Sequence, residues 1–112
     1  MGNSPDRVLS ALGLAKRAGK VISGTEQVQD AVRDKKAFLV LAARDISDNS
    51  RKKITNTCTR YQTELVEYAT MELISAALGQ KKLISSVAIT DNNFKILIKK
   101  QLSAISAEAK ND

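Results

Sequence analysis

VISGTEQVQDAVRDKKAFLVLA, residues 21–42, decides the fold, because it reads as strand, helix, strand. Val21 and Ile22 are β-branched and suit a short strand. Ser23-Gly24-Thr25-Glu26 has capping-box spacing, a hydroxyl three residues before a carboxylate, which predicts a helix with Ser23 at its N-cap. Val28, Ala31 and Val32 recur at helical spacing and predict its buried face, and the helix is expected to stop near Lys35. Phe38-Leu39-Val40-Leu41-Ala42 is then a short continuous apolar run. Such a run fits a strand covered by helices on both faces, as in largely parallel sheets, and it is expected to be central.

Working outward, Ser4-Pro5-Asp6 reads as N-cap, first helical proline and first-turn acid. The helix that follows carries Val8, Leu9, Leu12 and Ala15 in one stripe and ends at Gly19. On the other side, Asp45 to Ser50 is polar and turn-like. Ile54, Thr57, Cys58 and Tyr61 give a third helix, and Leu65 to Tyr68 a strand. Thr70 can cap a short helix with Leu73, Ile74, Ala77 and Leu78 inward, stopped by Gly79. Val87 to Ile89 is the last strand. Asp91-Asn92 opens a final helix that buries Phe94, Leu97, Ile98, Leu102 and Ile105, and its end is expected to fray from Ala107 to Asp112. This alternation predicts an α/β fold, a three-layer α/β/α sandwich with a mixed sheet of about four strands, formed by residues 1–112 as a single domain.

With 43% hydrophobic and 27% charged residues the chain can close one core. Its longest apolar run, Ala37 to Ala43, is far below the roughly 20 residues of a membrane span, and no secretory pattern opens the sequence. A cytoplasmic protein is expected. A single cysteine and no histidine remove the usual soft-metal ligands and the usual general base, so no metal, no cofactor and no catalysis are expected. Cys58 lies on the apolar face of its helix and reads as core. The net charge of +6 favours a polyanionic partner, since lysine and arginine on phosphates release counterions.

Chemistry concentrates between Ala15 and Asp34, where the basic turn Lys16, Arg17, Lys20 leads through the strand to a helix opening at Gly24-Thr25. Helix N-termini offer unpaired N–H groups to phosphates or base edges, and a glycine there permits close approach. The same residues also fit a plain turn and cap. The basic runs Arg51-Lys52-Lys53 and Lys95, Lys99, Lys100 read as solvated helix faces.

Gly24-Thr25-Glu26-Gln27, Ala31-Val32, the apolar run 38–42 with Asp45 beyond it, the stretch Gly13 to Gly24 and Val87-Ala88-Ile89-Thr90-Asp91 together resemble the L-seven-Ae and L-thirty-e superfamily of ribosomal proteins. The similarity spans about residues 6–103 and is greatest to the superfamily's bacterial YlxQ-like branch. The resemblance implies a protein that binds kink-turn or related structured RNA without catalysis, stabilising a sharp bend. The second helix would enter the widened groove, and the loop Lys82-Leu83-Ile84-Ser85-Ser86 would cover an extruded base. Leu83 and Ile84 fit equally a buried start of the last strand. On this reading the RNA-contacting residues are Lys16, Arg17, Lys20, Gly24, Thr25, Glu26, Gln27, Arg33, Lys81, Lys82, Leu83, Ile84 and Ser85, and the protein is a monomer. The superfamily's Gly-x-Asn-Glu-x-x-Lys signature aligns to residues 24–30, where Glu26 replaces the amide and Asp30 the lysine. With Asp34 these carboxylates line one side of the helix, where they would repel phosphates. A protein-interaction module on the same fold, with weakened RNA binding, is the alternative.

Overall fold

Leu39–Ala42 forms strand β2, and all its residues are buried, so both of its faces are covered. The computed structural model describes residues 6–110, with side chains described for 6–105. Around β2 the chain runs α1 (Arg7–Arg17), β1 (Val21–Ser23), α2 (Thr25–Arg33), β2, α3 (Asp48–Arg60), β3 (Leu65–Glu67), α4 (Met71–Ala77), β4 (Ser86–Ile89) and α5 (Asn92–Lys110). One four-stranded sheet has the order β1-β4-β2-β3. Helices α1, α4 and α5 pack together, as do α2 and α3, which gives a helical layer on each side of the sheet. Fully burying a leucine, isoleucine or valine contributes about 1.5–3 kcal/mol. The core that gains this centres on Leu12, Val28, Val32, Leu39, Leu41, Ile54, Ile74, Val87, Ile89 and Ile98.

The sheet is mixed, and more antiparallel than the apolar run alone suggests. Only β2 with β3 is parallel, while β4 lies antiparallel to both β1 and β2. A continuous apolar strand reports burial on two faces, and antiparallel β4 is buried in the same way. Phe38 belongs to the expected strand yet is 43% exposed, although its N–H still donates to the Ile89 carbonyl at 2.8 Å.

The helix starts also differ in detail. Asp6 is the N-cap of α1, its carboxylate accepting from Leu9 N at 3.0 Å, whereas Ser4 and Pro5 lie outside the described residues. Ser47 caps α3, which therefore begins inside the expected turn. The expected capping box on α2 does not form. Ser23 is the last residue of β1, in register with Val87, and Gly24 takes the N-cap position with no side chain to offer.

Two helix residues expected inside are also outside. Leu73 is 50% exposed because α4 turns Ile74, Ser75 and Leu78 inward instead. Ile105 is 41% exposed; α5, 19 residues long, spans about 28 Å at 1.5 Å per residue and outruns a sheet of three- and four-residue strands. Its helix is continuous to Lys110, and residues 111–112 of the expected frayed end lie outside the described residues. Thr70 caps α4 and Gly79 ends it in a left-handed conformation, as expected.

Candidate functional site

The site is built at the end of β1. Gly24 N–H donates to the Ser86 carbonyl at 3.0 Å, so the chain stays on β4 up to that residue, and the Gly24 carbonyl then accepts from Val28 N at 2.9 Å to open α2. Both bonds hold only because Gly24 has φ 102° and ψ 148°, a region essentially restricted to glycine. A Cβ here would lie 2.5 Å from Gln27 Oε1, since the Gln27 side chain folds back over the glycine. No side chain caps the first turn of α2, so it carries free donors and the positive end of the helix dipole.

Facing this turn is the α4–β4 loop, held by two hydroxyls. Ser75 is 3% exposed; its Oγ accepts from Ile84 N at 2.8 Å and donates to the Met71 carbonyl at 2.7 Å. Ser85 Oγ shares a 2.7 Å hydrogen bond with Thr25 Oγ1, joining the loop to the first residue of α2 across sixty positions of sequence. Between these anchors the loop divides. Ile84 is 7% exposed and belongs to the core, whereas Leu83 is 58% exposed. The two residues therefore part: Leu83 is exposed, whereas Ile84, expected in the same lid, is instead the buried lead into the last strand, its backbone drawn inward by Ser75.

A shallow cleft of about 450 Å³ results, which Gly24, Thr25, Glu26, Gln27, Lys82, Leu83, Ile84 and Ser85 line together. Lys81 is exposed in the same loop. The other sequence candidates lie elsewhere. Lys20 sits at the opposite end of β1, roughly 13 Å of extended chain from Gly24 at about 3.3 Å per residue, and Lys16 and Arg17 precede it in the last turn of α1. Arg33 is at the far end of α2, paired with Asp30 at 2.9 Å across an exposed i,i+3 step. That pair is worth at most a few tenths of a kcal/mol, but it neutralises part of the acidic side of α2. Gln29 Nε2 donates to Thr57 Oγ1 at 3.0 Å and ties α2 to α3. Ser75, Met71 and Gln80 are additions that sequence reasoning missed. A serine among the apolar positions of a short helix was the available signal for Ser75; nothing marked the other two.

Cys58 is 3% exposed, and burial pushes its thiol from 9.0 up to about 11, so it stays protonated and unreactive near neutral pH. Among the described residues no cluster of three or more acidic, histidine or cysteine side chains is placed to hold a metal, and no helix is long and apolar enough to cross a membrane.

A mixed four-stranded sheet between two helical layers, with a glycine-opened helix facing an apolar loop, defines the class. The chain belongs to the ribosomal protein L7Ae/L30e/S12e/Gadd45 family, whose sequence pattern matches residues 6–98. Within the family it falls in the bacterial YlxQ-like branch. It is 36% identical over 83 residues to the RNA-binding protein YlxQ of Bacillus subtilis, covering 74% of this chain and 82% of that one. To the RNA-binding protein YlxQ of Enterococcus faecium it is 32% identical over 88 residues, 79% of this chain and 84% of that one. A solved Bacillus halodurans protein of unknown function superposes with a TM-score of 0.83 at 26% identity, over 88% of this chain and 99% of that one. The Giardia lamblia 15.5kD RNA binding protein shares the fold, with a TM-score of 0.73 at 14% identity over 90% and 86% of the two chains.

Proposed function

We propose that this protein is a non-enzymatic, cytoplasmic, monomeric RNA-binding protein that recognises kink-turn or related sharply bent RNA through the cleft at the start of α2. The observation that carries this reading is the joining of α2 to the α4–β4 loop by the Thr25–Ser85 hydrogen bond, which sets free N–H groups, a flexible amide and an exposed leucine around one concavity. Gln27 supplies donor and acceptor for a base edge, and Leu83 an apolar surface for an unstacked base. Lys81 and Lys82 suit the flanking phosphates. The RNA binding named for the YlxQ relatives supports the partner class. By holding only the bent form, the protein would shift RNA toward it in proportion to its differential affinity.

A gel-shift comparison of a kink-turn RNA with a matched straight duplex, at two salt concentrations, tests the reading. Preference for the kink-turn at both salts is expected, with affinity falling as salt rises. Equal affinity for both RNAs would reduce the protein to a basic surface, and the acidic side of α2 (Glu26, Asp30, Asp34) would then favour a protein partner.

A further inference from the structure

The end of the sheet opposite Gly24 carries a second concavity, of about 510 Å³, within the range of small-ligand sites. It lies where the α2–β2 and α3–β3 turns meet the first turn of α5, and Phe38 and Tyr61 both line it. These are two of the four phenylalanine and tyrosine residues in the chain. Phe94, Tyr68 and Tyr61 itself pack against the core, and Tyr68 donates its hydroxyl to Asp6 at 2.7 Å, which leaves Phe38 as the exposed ring. Phe38, at 43% exposure, keeps its N–H bonded to β4 and so presents its ring from a fixed backbone.

The charge around these rings is positive. Lys35 and Lys95 line the cleft, and neither is in an ion pair among the described residues. The one carboxylate in the lining, Glu64, is bound to Lys99 at 2.8 Å. The Arg60 guanidinium, outside the cleft lining, lies over the Tyr61 ring, 5.7 Å from its centroid, so Phe38 is the ring without a cation over it. Aromatic faces interleaved with unpaired cations match one ligand chemistry well: unpaired nucleotides, whose bases stack and whose phosphates pair with lysine.

We propose that this cleft is a second RNA site, which takes an unpaired nucleobase on Phe38 and the adjoining phosphates on Lys35 and Lys95. It works independently of the first cleft, from which it is separated by the length of α2, about 13 Å at 1.5 Å per residue. The protein would then hold a structured RNA at one end and a single-stranded flank at the other.

The test uses fluorescently labelled hexaadenylate and anisotropy on the full chain. Phe38→Ala should weaken binding about tenfold and Phe38→Tyr should restore it, since stacking tolerates any aromatic ring. Lys35→Ala with Lys95→Ala should flatten the salt dependence by roughly 1.4 in log–log slope, the value for two phosphate contacts on a single strand. The lysine pair gives a readout even if Phe38→Ala fails to fold. Unchanged binding in both the Phe38→Ala and the lysine variants overturns the proposal, and so does displacement of hexaadenylate by equimolar hexa-aspartate, which would mark an acidic-peptide site. A kink-turn without single-stranded ends reads the first cleft alone. Loss of its selectivity with hexaadenylate still held through Phe38 would refute the first reading and support this one.

Discussion

Gly19 and Gly24 stand at the two ends of β1, and both have positive φ, 74° and 102°. Around Gly19 nothing lies within 4 Å of where a Cβ would be, and its neighbours Lys16, Arg17 and Lys20 are exposed. Around Gly24 the Gln27 amide, the Ser86 carbonyl and the Thr25–Ser85 bond converge. The first turn reverses the chain and collects charge. The second locks together segments sixty residues apart. The contrast separates charge collected by one local turn from a shape that only distant segments together can hold, and the proposed reading assigns attraction to the first and recognition to the second.

Breaking the locked end should have the largest effect. Ile84→Ser, which puts a hydroxyl into the core beneath the loop, is expected to cost about 3 kcal/mol in chemical denaturation, against roughly 0.5 kcal/mol or less for the exposed Leu83→Ser. In the folded fraction only Leu83→Ser should weaken kink-turn binding. Equal stability costs would mean that the two residues share one environment. Next comes the pair of glycines. Gly24→Ala should lose about 2 kcal/mol and also displace Gln27, while Gly19→Ala should lose about 1 kcal/mol with RNA selectivity intact. Thermal melts and the gel shift together separate the two. The smallest effect is expected at the open end. Replacing Lys16, Arg17 and Lys20 by alanine should leave stability within about 0.5 kcal/mol. It should weaken kink-turn and duplex binding by the same factor, because phosphate contacts carry no geometric preference. A change in the ratio of the two affinities would make the basic turn part of the recognition surface.

The strand–helix–strand of residues 21–42 was legible because burial periodicity is written locally: Val28, Ala31 and Val32 mark one face, and residues 39–42 are apolar throughout. The antiparallel setting of β4 was not, since pairing direction depends on partners far along the chain. Ser23 and Glu26 had the spacing of a cap, but the pairing with β4 continues to Gly24 N–H, so α2 opens one residue later with Gly24 at its N-cap and tertiary pairing overrode the local motif. In the candidate site, Gly24, Thr25 and Gln27 could be named from their place at a helix start. The division between Leu83 and Ile84 depends on Ser75, which is adjacent only in space, and adjacent residues of like hydropathy could not be told apart without it.

The pairing of β1 with β4, with Val21 opposite Ile89, also sets an order in time. When the chain is synthesised from its N-terminus, α2 is complete long before Ser85 and Ser86 exist. A helix of nine residues has little stability in water on its own, and contacts so distant in sequence are among the last to close. On the proposed reading, a nascent chain therefore has no cleft to offer RNA until β4 takes its place between β1 and β2 and brings the loop onto Thr25.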